Sequence, residues 1–283
     1  MQEYRIFSLF SKDIKTDRNT HIKNAEEFIA KHSLPQPEKP MYIFKVLSES
    51  QDYRKLKSLE AKAADFNLRL AERGYDIKYD KNDMVNAFFF ELKLGIFGTE
   101  DNSESYHTKS DDFYCKSCDT HQSFAKKDVY INKADFRGKD IAVTLKYNNE
   151  IIVSDKMKNL IEQAGLSGAE FYPAHHCNNR LKADYPLWHM AVTSEMPPID
   201  KAMPVYIIDG YCNDCKKHHI LPLSYVRYTS EELEKAMDLN LSCECFGPGW
   251  YGTPKLIISR KAYELIKQNN IKGCKFEIVG KTD

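Results

Sequence analysis

Two short cysteine knuckles constrain this chain more than any other feature. The first is Tyr114-Cys115-Lys116-Ser117-Cys118-Asp119-Thr120-His121, and the second is Tyr211-Cys212-Asn213-Asp214-Cys215-Lys216-Lys217-His218. Both read Tyr-Cys-x-x-Cys-x-x-His. Each is followed by a copy of one longer motif, IIVSDKMKNLIEQAGLSGAEFYPA from Ile151 and LIISRKAYELIKQNNIKGCKFEIV from Leu256, with eight of 24 aligned positions identical. The order knuckle, motif, knuckle, motif implies a duplicated unit. Each copy reads as a strand, a short amphipathic helix and a second strand. Ser154 and Ser259 stand where an N-cap is needed. Gly165 and Asn270 stand where a helix ends in left-handed backbone. Gly168 and Gly273 allow the turn into the closing strand.

Four cysteines in two CxxC pairs fit a tetrahedral zinc site, so Cys115, Cys118, Cys212 and Cys215 are the candidate ligands of one structural zinc ion. Other arrangements use the same residues. Each knuckle can hold its own ion with its own histidine (His121, His218), cycle as a redox disulfide, or bind nothing. Nothing in the sequence points to export, and CxxC pairs in a reducing compartment are more often metal or redox centres than structural bridges. The cytoplasm is therefore the expected location. The N-terminus, MQEYRIFSLFSKDIK, lacks the pattern of a signal peptide, and no run of about 18 apolar residues is present to cross a membrane.

Upstream of the knuckles, residues 1–82 read as a separate α+β segment, and residues 83–283 as the duplicated double-CxxC domain. Tyr4–Phe10 and Met41–Leu47 have the composition of strands, and Ile22, Ala25, Phe28 and Ile29 the spacing of a helix. The stripe Leu56, Leu59, Ala63, Phe66 and Leu70 predicts one helix from Asp52 to Arg73, stopped by Gly74. Asn86–Phe97 reads as a buried strand. Leu187–Val192 and Pro204–Ile208 read as strands of one antiparallel sheet, and Thr229 with Glu232 as a capping box. The whole predicts an α+β fold: largely antiparallel sheet with short helices, two related strand–helix–strand units joined by a zinc-binding double CxxC, and an N-terminal α+β segment.

Other chemistry-bearing residues have plainer readings. His175, His176 and Cys177 fall in a polar loop after Pro173. Cys243 and Cys245 read as loop or core thiols, and Cys274 as a small core residue. No P-loop, GxGxxG, HExxH or GxSxG occurs, so no catalytic residue and no enzymatic role is assigned. Lys plus Arg equals Asp plus Glu, 41 each. That neutral total argues against a dedicated duplex-DNA binder, although a local basic patch can hide in the sum.

From about Asn86 onward the chain resembles the bacterial double-CxxCG-motif proteins. The resemblance rests on the two knuckles, the intervening IIVSDKMKNLIEQAGLSGAEFYP segment and the tryptophan strand Leu187–Val192. Asp119 and Lys216 stand where that motif has glycine. The S-x-K-x-x-x-L-I…G-x-x-G-x-x-F pattern is also similar to immunity proteins of polymorphic toxin systems. The resemblance implies a non-enzymatic protein whose partner is a cognate toxin; the missing apolar run argues against a membrane partner, and the neutral charge disfavours a nucleic-acid one. The Gly98–Ser110 and Cys243–Gly252 loops are the candidate contact regions. The alternative is a zinc-ribbon nucleic-acid-binding or regulatory protein, with Lys116, Lys126, Lys127, Lys216, Lys217, His218 and His219 as a basic surface. A thiol redox enzyme is a third reading.

Overall fold

The computed structural model describes residues 1–12, 16–39, 41–97, 115, 117, 129–144, 150–176, 186–199, 203, 205–222, 224–247 and 252–282. The fold is α+β, with mostly antiparallel sheets and few, short helices. It divides into two compact units, Met1–Val85 with Leu223–Tyr225, and Asn86–Pro222 with Val226–Asp283.

In the first unit the order is β1 (Gln2–Ser11), α1 (Arg18–Lys31), β2 (Ile43–Leu47), α2 (Gln51–Leu59) and β3 (Leu68–Lys78). The strands form an antiparallel sheet in the order β2-β1-β3. Phe7, Leu9, Phe44, Val46, Leu68 and Leu70 point to one face, where Ala25, Phe28, Leu56 and Leu59 of the two helices complete the core. Asp17 and Ser50 cap the helices by accepting from backbone N–H groups one turn on.

The helix expected from Asp52 to Arg73 ends instead at Leu59. A 3-10 turn follows, Asn67 takes left-handed backbone (φ 55°), and Leu68 and Leu70 belong to a strand. The stripe satisfied a 3.6-residue period through Leu70, but the same leucines also satisfy a period of two. Short apolar runs cannot distinguish these periods. Gly74 is no helix stop, because it lies within β3 beside a register shift between Ile6 and Phe7. A short helix, α3 (Lys81–Asn86), closes this part of the chain.

The second unit contains β4 (Phe89–Leu94), β5 (Ile96–Phe97), β6 (Val129–Ile131), β7 (Ile141–Thr144), β8 (Ile151–Ser154), α4 (Asp155–Gln163), β9 (Ala169–His176) and β10 (Leu187–Val192). It continues through β11 (Val205–Tyr211), β12 (His218–Pro222), β13 (Arg227–Thr229), α5 (Ser230–Glu234), β14 (Leu239–Leu241), β15 (Cys245–Phe246), β16 (Leu256–Ser259), α6 (Arg260–Gln268) and β17 (Cys274–Thr282). One sheet runs β5-β7-β8-β10-β9-β6, and a second runs β13-β17-β4-β16-β14. Read from opposite ends, the five strands of the second sheet match β7-β8-β10-β9-β6 of the first, and β5 is an addition at the edge of the first.

Each motif copy forms a strand–helix–strand unit whose two strands flank a third, antiparallel strand. Trp188 of β10 lies between Val153 and Pro173, and Phe90 of β4 lies between Ile258 and Ile278. Val153 and Ile258 occupy the same place in the two copies. The central strand of each sheet therefore comes from the other half of the chain. β4, upstream of the first knuckle, completes the second copy, and β10, between the first copy and the second knuckle, completes the first. The two halves are intertwined by strand exchange.

Side chains repeat the symmetry. Trp188 donates to Asp155 and lies under the Lys158 ammonium, while Phe90 stacks on Tyr263 (4.0 Å, 12°) under the Arg260 guanidinium. Residues 155 and 158 are the counterparts of 260 and 263. One step along each central strand is a buried polar pair. His189 Nε2 lies 2.7 Å from Glu150, and Glu91 pairs with Lys255.

Two aspartates brace one copy against the other. Asp140 accepts from the Ser154 hydroxyl of the first copy and from the Lys272 N–H of the second (2.9 Å). Asp238 accepts from the Ser259 hydroxyl of the second copy (2.6 Å) and from the Ser167 N–H of the first (3.0 Å). The Asp238 carboxyl is partly buried, which opposes ionisation. The Ser259 and Ser167 donors outweigh that and hold it below the usual carboxylate range. A depressed folded pKa adds stability above the unfolded value of about 3.9, and this is lost as pH falls through the folded pKa. Asp238→Asn is therefore expected to be less stable than the parent at pH 7, with the gap narrowing below about pH 4. Urea unfolding at both pH values checks this.

The structure also departs from sequence expectation at two strands. β10 and β11 do not share a sheet: β11 pairs with β12, which pairs with β15, in a separate three-stranded sheet. The segment beyond Pro173 is not a loop, because β9 continues to His176 alongside β6.

Candidate metal centre

The second knuckle is the turn of the β11–β12 hairpin. Tyr211 pairs with His218, and the six residues between them reverse the chain. The Cys212 N–H donates to the Lys217 carbonyl (3.0 Å), and the Lys216 N–H donates to the Cys212 carbonyl (2.8 Å). These bonds turn the backbone around the space that Cys212 and Cys215 face. Lys216 adopts φ 56°, the left-handed conformation that glycine enters without penalty and that costs other residues roughly 1–2 kcal/mol. Lysine thus takes here a conformation that glycine enters more readily.

The fold brings Cys115 to this hairpin. Its Sγ lies 3.5 Å from that of Cys212, and the sulfurs of Cys115, Cys212 and Cys215 all lie within 4.8 Å of one another. Four sulfurs arranged tetrahedrally at about 2.3 Å from zinc would be about 3.8 Å apart. The three thiols therefore match the spacing of ligands around one ion, and soft thiolate donors suit such a metal. Cys115 is buried, whereas Cys212 and Cys215 are partly exposed. Ser117 donates to Asp214 at the equivalent position of the other knuckle, 97 residues away. Cys118 and His121 lie outside the described residues.

The histidines of the second knuckle are placed elsewhere. His218 is exposed and packs against the Tyr211 ring at 4.8 Å, while His219 is buried, with Nδ1 3.2 Å from the Gly247 carbonyl. Lys217 is buried in an ion pair with Glu195. These contacts subtract Lys217 and His219 from the basic surface suggested by the sequence. Lys116, Lys126 and Lys127 lie outside the described residues, as does the Gly98–Ser110 loop.

The remaining thiols have different surroundings. The segment from Cys243 is not a surface loop at its start. Glu244 and Cys245 are buried, and β15 pairs in parallel with β12. Burial, with the neighbouring carboxylates of Glu195 and Glu244, pushes the Cys243 thiol up to about 11. Burial and Asp140 push Cys274 up to about 11. The thiolate is the reactive form, so iodoacetamide near pH 7.5 is expected to leave Cys243 and Cys274 unmodified until the protein is unfolded. Peptide mass mapping checks this.

His175 and His176 close β9, and His176 Nδ1 lies 3.2 Å from the Ile131 carbonyl and 3.3 Å from the Lys133 nitrogen. It ties neighbouring chain segments together. Cys177 lies outside the described residues. No helix is long and apolar enough to cross a membrane among the described residues.

Compared with known proteins, the chain matches no family model, and no curated protein is similar to it at a significant level.

Proposed function

We propose that this is a non-enzymatic bacterial binding protein of the cytoplasm that neutralises a cognate toxin by direct contact, with one structural zinc ion shared between its knuckles. In this reading Cys115, Cys212 and Cys215 supply three sulfurs and Cys118 the fourth. The bound ion acts as a cross-link and supplies no reaction chemistry. The observation that carries the reading is the convergence of thiols from both knuckles within 4.8 Å, at equivalent points of a duplicated and intertwined unit. A metal there would fix the two halves at a single geometry. An inhibitor needs that kind of scaffold, a rigid surface complementary to its target in shape and charge. The resemblance to the double-CxxCG and immunity proteins supplies the partner class.

Co-expression provides the test. The gene immediately upstream, where it encodes a secreted toxin, is induced with and without this chain. Rescue of growth together with co-purification supports the reading. Continued killing despite soluble expression of both proteins contradicts it.

A further inference from the structure

The sheet of the first unit has one face under its helices and one face without them. On the second face, β1 presents Tyr4 near one end and Phe10 near the other, about 20 Å apart at strand rise. Each ring is bracketed by two cations. The ammonium groups of Lys45 and Lys78 lie 5.0 and 5.2 Å from the Tyr4 centroid. The guanidinium carbons of Arg69 and Arg73 lie 5.8 and 4.5 Å from the Phe10 centroid. Arg73 shares this side with Arg69 by simple alternation, and the register shift between Ile6 and Phe7 brings Lys78, nine residues from Arg69, onto the same side, as a bulge re-aims the side chains that follow it. All four cationic residues are exposed. Lys45 pairs with Asp76, whereas Arg69, Arg73 and Lys78 make no ion pair with any carboxylate among the described residues. Asp76 is the only acid that the paired strand residues put on this face.

We infer that this face binds single-stranded nucleic acid, with Tyr4 and Phe10 as base-stacking platforms and Lys45, Lys78, Arg69 and Arg73 as phosphate contacts. Aromatic rings on an open sheet, flanked by exposed cations that turn from the ring to a phosphate when a base stacks, are how sheets bind unstacked bases. A duplex hides its base faces and cannot use the rings. An acidic peptide can use the cations but leaves the ring faces with nothing planar to stack on. The even balance of charge over the whole chain conceals this local excess of about three positive charges, so the expectation of no nucleic-acid partner does not extend to this face.

The test uses the full chain and fluorescence anisotropy with labelled rU12, dT12 and a 12-base-pair DNA duplex. Single strands are expected to bind more tightly than the duplex. Their affinity should fall roughly 20-fold between about 50 and 200 mM salt, the dependence that about three neutralised phosphates give. Arg69→Gln with Lys78→Gln, both on exposed residues, should flatten that salt dependence. Tyr4→Leu and Phe10→Leu should each weaken binding roughly 5-fold or more at unchanged salt dependence, with unfolding midpoints confirming the fold. The ratio of rU12 to dT12 affinity identifies which strand is preferred. No binding, a preference for duplex, or equal binding by all variants overturns the inference. Equal capture of a poly-glutamate peptide with the same sensitivity to the variants also overturns it, and assigns the face to acidic proteins.

Discussion

Replacing Cys115 with alanine is expected to abolish stoichiometric zinc binding and to lower stability by about 4 kcal/mol or more, since metal binding to a folded site is folding free energy. In a chain of this size that is roughly 8–16 °C in unfolding midpoint. The reasoning follows from placement. Cys115 is the buried member of a trio whose other two sulfurs sit on the β11–β12 hairpin, so its loss takes one of the two ligands proposed for the first knuckle and leaves the ion three-coordinated by protein. Cys212→Ala removes a ligand from the hairpin and should match the effect. A strong chelator should reproduce the loss in the parent protein and add nothing in either variant. Parent and variant unfolding at the same temperature, with or without chelator, would mean that no metal supports the fold.

The second large effect is expected at two glycines. A methyl group at Gly168 would lie 2.0 Å from the Leu239 carbonyl oxygen, and one at Gly273 would lie 2.0 Å from the Ile141 carbonyl oxygen. Both residues have positive φ, +96° and +106°, where side chains are strained regardless of space. The clashing atoms are backbone and cannot rotate away. Gly168→Ala and Gly273→Ala should each cost about 3–5 kcal/mol in urea unfolding, the range reserved for strain and severe overpacking. Gly165→Ala is the control. Its φ of +59° is left-handed, but no atom lies within 4 Å of the added carbon, so only about 1 kcal/mol is expected. Leu239 and Ile141 begin equivalent strands, β14 and β7. The two costly variants should therefore be similar in size. A large cost at one glycine alone would break the equivalence of the two halves.

The sequence revealed the parts of this fold whose causes are local. Ser154 and Ser259 accept from the N–H three residues on, and Thr229 and Glu232 form the capping box, because a cap depends only on residues within one turn. Gly165 and Asn270 take left-handed backbone for the same reason. The exchange of β4 and β10 was not legible. It depends on pairing between strands far apart in the chain, and a buried strand such as Phe89–Leu94 reads the same whichever neighbours it joins.

The candidate metal site divides along the same line. Two CxxC spacings are visible to inspection, and they pick out Cys115, Cys212 and Cys215. The position of His218 against Tyr211 rather than among the thiols, and the burial of Lys217 with Glu195, follow from the hairpin register and from contacts between distant segments. The cationic face of the first unit was hidden by a misread helix. Arg69 and Lys78 fall on opposite faces of a strand unless a bulge intervenes, and the expected helix from Asp52 to Arg73 contained no strand at all.

Elemental analysis of the purified full-length protein, coupled to native mass spectrometry and X-ray absorption at the zinc edge, tests the central claim most directly. The account predicts one zinc per chain, surrounded by four sulfur atoms at about 2.3 Å. Two ions per chain with nitrogen in the coordination shell, or a folded protein without metal, would contradict it.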